Sequence, residues 1–298
     1  MTSTTNTHEP TLRTTLFALS LLALAACSPA TNTQRAAMPA TAPITALQLA
    51  SAEEVGMDSS RLDRVTQAMQ GFVDEGLLAG VVTMAARDNK IVHFESVGYR
   101  DIEAQSPMTN DAIFRIYSMT KPITGVAMMI LYEEGKFKLS DPVEKYIPEF
   151  TDLQVYAGED DNGKPVLEPQ NHKMTVRELM SHSGGLSYGL FSQSKVDDMY
   201  NEANVLDADS TLQDMIDKLG AIPLRQQPGS MWHYSVSVDV QGYIVEKLSG
   251  QKFSDFLEER IFEPLNMTDT DFYVPEEKAN RFAQVYGYSP AGELTAQE

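Results

Sequence analysis

A serine and a lysine lie three residues apart at the start of an apolar stretch, IYSMTKPITGVAMMILYEEG, residues 116–135. The apolar residues of this stretch recur at the spacing of one helix face, and Gly135 ends the pattern. Because proline is tolerated only in a first helical turn, Pro122 predicts that the helix starts near Ser118. Free backbone N–H groups and the positive end of the helix dipole would then lie beside the Ser118 hydroxyl, where an oxyanion would be stabilised.

Lys121 lies one turn beyond Ser118 on the same helix face. The helix dipole and burial both favour a neutral lysine, which could take a proton from a serine nucleophile. The alternative is that Ser118 caps the helix and Lys121 is solvated. The S-x-x-K spacing recurs at Ser192–Lys195, in a polar stretch with no helix predicted behind it, and at Ser249–Lys252, across a glycine turn. We interpret these two matches as accidental.

A second serine pattern, GLSYG at residues 185–189, matches the G-x-S-x-G nucleophile motif. That motif requires a strand before the serine, whereas here a helix is predicted, with Thr175 and Glu178 spaced as a capping box and a double glycine at its end. We therefore do not assign Ser187 as a nucleophile. The chain's 5 histidines show no metal-ligand spacing, so neither a metal nor another cofactor is predicted. His182 is interpreted as a structural hydrogen-bonding residue.

The segment QPGSMWHYSVSVDVQGYIVEKLSG, residues 227–250, contains a further candidate, Tyr234, just before a predicted helix. A tyrosine hydroxyl near a cationic lysine can be held as a phenolate or can relay a proton. A buried core tyrosine is the alternative for this residue considered alone.

Composition limits the partners and the compartment. The chain has 298 residues, of which 42% are hydrophobic, and a formal net charge of −19. This charge repels phosphate backbones, so nucleic acid is not predicted as a partner. The single cysteine, Cys27, excludes a disulfide framework.

The N-terminal segment has the features of an export signal. Arg13 precedes the apolar run TTLFALSLLALAAC, which is too short to span a bilayer. The last four letters, ending at Cys27, resemble the bacterial lipobox, in which the peptide is cut before the cysteine and the cysteine is lipidated. We predict a lipoprotein signal peptide over residues 1–26, and a lipidated Cys27 with a flexible tether over residues 27–57. By resemblance to that signal class, Ser28 favours the outer membrane, facing the periplasm.

The folded domain is predicted for residues 58–298. It begins with a helix capped at Asp58 or Ser59, whose apolar residues are expected to point inward: Leu62, Val65, Met69 and Phe72. Two β-rich runs, residues 79–88 and 90–98, meet at Asp88 and Asn89 and predict a hairpin. From residue 118 to about 270 most segments are typical of helices and loops, so the order of elements indicates a mixed α/β (α+β) class.

Several segments occur in the order seen in the serine β-lactamase and penicillin-binding protein superfamily: FRIYSMTKPIT, DPVEKYIPEF, LMSHSGGLSYG, QPGSMWHYSVSVDVQGYIVEKLSG and FLEERIFEPLNM. Over roughly residues 53–290 the chain most resembles the class C-related, family VIII-type esterases of that superfamily. The resemblance implies a β-lactamase/D,D-peptidase-like fold, with an antiparallel sheet flanked by helices and a helical subdomain. It also implies that Ser118 is the acylated nucleophile, Lys121 its base partner and Tyr234 the tyrosine of the second motif.

The chain departs from the superfamily pattern in two places. The second motif, Y-x-N, here ends in Val236, and the asparagine that it replaces helps to hold the amide side chain of a β-lactam. Val236 is therefore expected in the substrate pocket, with weak or no β-lactamase activity. Trp232, the only tryptophan, is expected either to line the acyl pocket or to pack in the core. A third motif, K-T-G or H-x-G, does not follow Tyr234, so we expect the C-terminal strands of the fold to be missing.

The function favoured by these observations is an exported, lipid-anchored serine hydrolase that cleaves small esters through an acyl-enzyme. One alternative is a cell-wall D,D-peptidase or penicillin-binding lipoprotein, and another is a lipoprotein that binds a ligand without catalysis. The predicted partners are a small-molecule ester or β-lactam-like substrate and the membrane, reached through the lipid anchor. The sequence does not indicate an oligomeric state.

Overall fold

The computed structural model describes residues 47–297. The predicted signal peptide, Cys27 and most of the predicted tether lie outside these residues. Among the helices described, none combines the length and apolar character needed to cross a bilayer.

Helices account for most of the regular secondary structure after residue 118. In chain order they are α1 (Ser59–Asp74), α2 (Thr120–Glu133), α3 (Val176–Met180), α4 (Lys195–Glu202), α5 (Leu212–Gly220), α6 (Ser237–Ser249) and α7 (Phe253–Leu257), which continues into a π-helical turn at Glu258–Phe262. The strands are β1 (Gln48–Leu49), β2 (Gly80–Arg87), β3 (Lys90–Asp101), β4 (Ser106–Pro107), β5 (Val155–Glu159), β6 (Pro165–Glu168), β7 (Tyr286–Tyr288) and β8 (Leu294–Ala296).

The main sheet is built around β3. Strand β2 pairs with it antiparallel from Gly80 opposite Gly98 to Arg87 opposite Lys90, which confirms the predicted hairpin. The two turn residues, Asp88 and Asn89, have φ values of 51° and 60°, as a two-residue turn that follows the twist of the strands requires. Strand β4 pairs antiparallel with β3, and β1 pairs parallel with it.

Ordered structure starts before the predicted domain boundary. Strand β1 and a 3-10 turn at Glu53–Val55 fall inside the tether predicted for residues 27–57. The Ala50 N–H donates to the Ile91 carbonyl at 3.0 Å, and the Val55 side chain is buried. The prediction of a tether up to residue 57 is therefore wrong at its C-terminal end, because a short strand is bonded to the hairpin there.

Helix α1 begins as predicted, with the Asp58 carboxylate accepting a hydrogen bond from the Arg61 N–H at 3.3 Å. It packs on β2 and β3. Its predicted inward face is only partly covered, since Val65 and Phe72 remain 37% and 42% exposed. The prediction that this whole face is buried is therefore wrong, because the hairpin covers only part of it.

The core lies in the helical part of the molecule, where α2 packs against α6. Met128 and Leu131 of α2 and Val240 and Ile244 of α6 are almost completely buried. Burying several such side chains stabilises the fold by roughly 1.5–3 kcal/mol each. This cluster fixes the direction of α2, and so fixes the place of the residues that lead into it.

Helix α3 has the predicted capping box between Thr175 and Glu178. Helix α4 was not predicted, yet it has the same device between Ser194 and Asp197. The interpretation of Ser192–Lys195 as a polar stretch with no helix behind it is therefore wrong, because Val196 and Tyr200 give α4 a buried side. The hairpins β5–β6 and β7–β8 were also not predicted.

Candidate active site

Ser118, Lys121 and Tyr234 meet at one point of the surface, although Ser118 and Tyr234 are 116 residues apart in sequence. The Ser118 Oγ lies 2.7 Å from the Tyr234 hydroxyl. The Lys121 ammonium donates to the Ser118 Oγ at 3.4 Å, and its Nζ lies 4.8 Å from the centre of the Tyr234 ring. The structure thus brings together the three side chains that the sequence singled out.

Ser118 lies in a 3-10 turn, Tyr117–Met119, directly before α2. The Met119 N–H closes this turn on the Ile116 carbonyl at 2.9 Å, and Tyr117 has a φ of 43°, which is uncommon for a bulky residue. Within residues 47–297 the Ser118 N–H donates to no protein acceptor. It is therefore available to donate to an oxygen atom of a ligand placed beside the Ser118 hydroxyl.

Tyr234 lies in a short segment that is held at each side before α6 begins. The His233 N–H donates to the His182 carbonyl at 2.8 Å, and the Val236 N–H donates to the Ser187 carbonyl at 3.0 Å. The Tyr234 ring stacks on the Tyr188 ring with centroids 5.6 Å apart and 4° between the planes. These contacts aim the phenol hydroxyl at Ser118.

The pKa of Tyr234 is lowered from that of an ordinary tyrosine. Burial acts to raise this pKa, but the nearby Lys121 ammonium and the hydrogen bond with Ser118 stabilise the phenolate and outweigh burial. A phenol with a lowered pKa loses its proton more readily. Tyr234 can therefore form a phenolate that is positioned to take the Ser118 proton.

A pocket of about 970 Å³ opens beside Ser118 and Lys121. This volume is large enough for a small organic ligand. Its walls away from Ser118 are mainly apolar, and they include Leu212, Val238, Phe253 and Phe272. Three acidic residues, Asp239, Glu246 and Asp271, also line it; burial raises the pKa of Asp239, and the Lys121 charge offsets this only in part.

Two residues expected at the pocket are elsewhere. Val236 is completely buried in the core, where it precedes α6, so its placement in the substrate pocket is wrong. Trp232 is 65% exposed, so the core alternative for this residue is wrong as well. The Trp232 ring lies on the surface, 6.1 Å from the Tyr234 ring and 6.2 Å from the His182 ring. It does not line the 970 Å³ pocket.

Ser187, the serine of the G-x-S-x-G pattern, is completely buried. Its hydroxyl donates to the Asp197 carboxylate, and the His233 Nε2 lies 3.2 Å from it. These are the residue types of a hydrolytic triad, but here the carboxylate holds the serine itself, and no substrate can reach a buried hydroxyl. The structure therefore gives Ser187 a structural role.

Asp197 is the centre of this buried polar cluster. It is also bonded by Ser192 and Ser194, and it accepts a hydrogen bond from the Arg225 guanidinium at 3.0 Å. Burial acts to raise its pKa, but the hydrogen bonds from the three serines and the Arg225 charge lower it to about 2. The cluster ties α4 to the loop that contains Ser187.

The sequence did not reveal how closely His182 and Tyr188 contact Tyr234. The ring of His182 lies 5.0 Å from that of Tyr234. His182 and Tyr188 both come from the segment LMSHSGGLSYG. That segment contributed to the family resemblance, so it was a usable signal that these side chains belong near the site.

The profile of the Beta-lactamase family matches residues 65–297. This match covers more than half of the chain, so the chain belongs to the Beta-lactamase family. Its mixed α/β fold is that of the serine β-lactamases and D,D-peptidases.

Two curated relatives and one solved structure place the chain within this family. It is 35% identical over 227 residues to the protein Rv1367c of Mycobacterium tuberculosis, covering 76% of this chain and 55% of that protein. It is 32% identical over 233 residues to the esterase EstB of Burkholderia gladioli, covering 76% and 54%. The structure of EstCE1, a hydrolase with promiscuous acyltransferase activity, superposes with a TM-score of 0.68 at 28% identity, covering 80% of this chain and 60% of that one. The chain spans about half the length of the curated relatives that it matches.

Proposed function

We propose that this protein is a serine hydrolase that cleaves small carboxylic esters through an acyl-enzyme. The observation that carries this proposal is the contact at 2.7 Å between the exposed Ser118 hydroxyl and the Tyr234 phenol, with Lys121 beside both. A nucleophile in contact with a base that a third group stabilises is the arrangement that covalent hydrolysis requires. The esterase EstB and the hydrolase EstCE1, to which the chain is similar, support the choice of esters.

In the proposed first half-reaction the Tyr234 phenolate takes the Ser118 proton while the Ser118 Oγ attacks the ester carbonyl carbon. The Ser118 N–H donates to the oxyanion that forms, and the Lys121 ammonium stabilises the phenolate before transfer. Collapse of the tetrahedral intermediate breaks the bond to the alkoxy oxygen, which leaves as an alcohol with the proton from Tyr234. Water then attacks the acyl group with Tyr234 as base, and the acid leaves as Ser118 regains its proton.

The pocket favours esters over β-lactams. It offers apolar walls for an acyl or alkoxy group, and the position that holds the amide of a β-lactam in the related enzymes is a valine buried in the core. Without that polar contact a β-lactam loses binding energy in both the ground state and the transition state. Weak or absent β-lactamase activity is therefore part of the proposal.

The proposal is tested by measuring kcat/KM of the full chain on a short-chain p-nitrophenyl ester, on nitrocefin and on a D-Ala-D-Ala peptide. We expect the ester to be the best substrate, with turnover at background level in Ser118→Ala. Cleavage of the peptide but not of the ester would replace the proposal with the D,D-peptidase alternative. If no substrate is turned over and none acylates the protein, the remaining alternative is a protein that binds a ligand without catalysis.

We also propose that the protein is exported and anchored by lipid at Cys27, in the outer membrane and facing the periplasm. The support is the lipobox-like sequence LAAC with its preceding apolar run, followed by Ser28. A substrate for this site would then be a small molecule that reaches the periplasm.

A further inference from the structure

His182 contacts both chain neighbours of Tyr234 as well as its ring. The His182 carbonyl accepts a hydrogen bond from the His233 N–H at 2.8 Å. The His182 Nδ1 lies 3.2 Å from the Ser235 backbone nitrogen, which donates to it. The His182 ring packs against the Tyr234 ring with 5.0 Å between centroids. His182 therefore holds the segment of residues 233–235, which places the Tyr234 phenol beside Ser118.

These contacts define the tautomer of His182. A backbone N–H can only donate, so the Nδ1 atom that faces the Ser235 N–H must carry no proton. The Ser235 Oγ, also 3.2 Å from Nδ1, can donate to the same atom, and it is bonded in turn to the Ser237 Oγ at 2.7 Å. The neutral ring consequently has its proton on Nε2.

The surroundings of His182 favour this neutral form. Partial burial lowers the pKa of His182, and the charges of Lys121 and His233 lower it further. Lys121, His233 and the Tyr234 phenol are the titratable groups that face the ring from the packed elements. A protonated His182 would turn an N–H group toward the Ser235 N–H and abolish the hydrogen bond.

The backbone of His182 is also unusual, since its φ is 55°. This left-handed conformation is uncommon outside glycine, although histidine, like asparagine and aspartate, adopts it more often than other residues, and such outliers concentrate at functional sites. Here the conformation directs the carbonyl of His182 to His233 and its ring to Tyr234, so that one strained residue serves both contacts.

We propose that His182 is a positioning residue for Tyr234: as a neutral acceptor for the Ser235 N–H, it keeps the phenol hydroxyl in contact with Ser118. The role in turnover rests on the proposed esterase function, whereas the contact itself does not. Misplacing a reacting group by about 1 Å can cost on the order of 10²-fold in rate. Loss of the acceptor should therefore lower kcat much more than it changes KM.

The test compares His182→Phe, which keeps a ring but has no acceptor, with His182→Asn, whose amide oxygen can accept and whose backbone tolerates positive φ. We expect kcat to fall about tenfold or more in the phenylalanine variant, with KM nearly unchanged, and to be largely restored in the asparagine variant. As the pH is lowered, kcat should fall less steeply in His182→Asn than in the wild type, because the asparagine acceptor does not titrate. His172→Asn, a change at an exposed histidine outside the site, is the matched control and should leave kcat unchanged.

A second measurement does not depend on turnover, and it needs only the asparagine variant to be folded. Nitrogen NMR of the wild-type ring, with the His182 signals identified by their loss in His182→Asn, should show an unprotonated Nδ1 and a protonated Nε2 at neutral pH. A protonated Nδ1, or a phenylalanine variant with the kcat of the wild type, would overturn the proposal. If no ester is turned over, the NMR result still decides the contact, and the proposed function fails separately.

Discussion

At the nucleophile, the two groups that could act as a base differ in their contact with Ser118. The Tyr234 hydroxyl lies 2.7 Å from the Ser118 Oγ, which is an ordinary hydrogen-bond distance, whereas the Lys121 Nζ lies 3.4 Å away, beyond the usual range. This geometry favours Tyr234 as the direct proton acceptor. In the proposed mechanism Lys121 then acts mainly by its charge, which stabilises the phenolate.

Removing this charge should slow the reaction. We expect Lys121→Ala to lower kcat/KM for a p-nitrophenyl ester by about 10²-fold or more, the usual scale for a group that supports proton transfer. Lys195→Ala is the matched control, since Lys195 has the same S-x-x-K spacing to Ser192 but forms only long surface ion pairs of 3.8 and 3.9 Å. Steady-state kinetics measure both variants. An unchanged rate in Lys121→Ala would show that Lys121 is a solvated surface residue with no part in the reaction.

The pH dependence of the rate should report the ionisation of Tyr234. The proposed reaction needs the phenolate, so kcat/KM should rise with pH through the pKa of Tyr234, which the Lys121 ammonium and Ser118 hold below its ordinary value. In Lys121→Ala the pKa should increase, because the phenolate loses its neighbouring positive charge. The rising limb of the profile should therefore move to higher pH. A limb that stays in place would show that another group controls it.

The site could be predicted to the extent that it follows from local chain geometry and motif order. Ser118 and Lys121 follow from the start of α2, and Tyr234 from its place just before α6. Val236 was misplaced because α6 begins directly after it and turns its side chain into the core. The contact of His182 with Ser235 joins residues 53 positions apart, and no spacing rule reveals it.

Among the secondary-structure elements, α4 is held to the rest of the molecule by the Arg225–Asp197 pair, in which the Asp197 side chain is 2% exposed. A buried carboxylate that loses its positive partner is left in a medium of low polarizability. Leaving one partner of a buried pair alone costs about 3–5 kcal/mol. The partial exposure of Arg225 and the three serine hydroxyls around Asp197 should reduce this cost.

We therefore expect Arg225→Met to lower the free energy of unfolding by about 2–3 kcal/mol, measured by urea denaturation at neutral pH. The pKa of Asp197 is about 2 in the folded protein and near its ordinary value when unfolded, so its stabilisation is present above pH 4. It is lost as the pH falls from about 4 toward about 2. Asp197→Asn should accordingly show a weaker loss of stability over this interval, and an identical pH dependence would contradict the assignment.

Elements could be predicted where residue chemistry fixes them locally. The hairpin β2–β3 follows from two alternating runs around Asp88 and Asn89, and α3 from its capping box. Helix α4 was missed because most of its residues are polar and only two side chains that pack inward distinguish it from a loop. Strand β6 was missed since all its residues are exposed and only pairing with β5 makes it a strand.

For the molecule as a whole, the proposal is that covalent lipid rather than charge keeps the protein near a membrane, in view of its net charge of −19 and its lipobox-like sequence. A like-charged protein is repelled by anionic lipid headgroups, so an anchor at Cys27 would have to supply the attachment. Such an anchor would hold the protein at the membrane without a spanning helix.

Export and lipidation can be tested in cells. We expect globomycin to cause the uncleaved precursor to accumulate and Cys27→Ser to prevent lipoprotein processing, because the modified thiol would be gone. Immunoblots of membrane fractions follow both effects, with Ser28→Ala as the control for a nearby change that keeps the thiol. Processing of Cys27→Ser at the wild-type rate would argue against the lipobox.

The central claim is that Ser118 is the residue acylated during turnover. Its most direct test is the intact mass of the full chain after reaction with a fluorophosphonate, followed by peptide mapping of the adduct. We predict a single adduct on Ser118 and none in Ser118→Ala. An adduct on Ser187 or Ser192, or equal labelling of Ser118→Ala, would contradict the account.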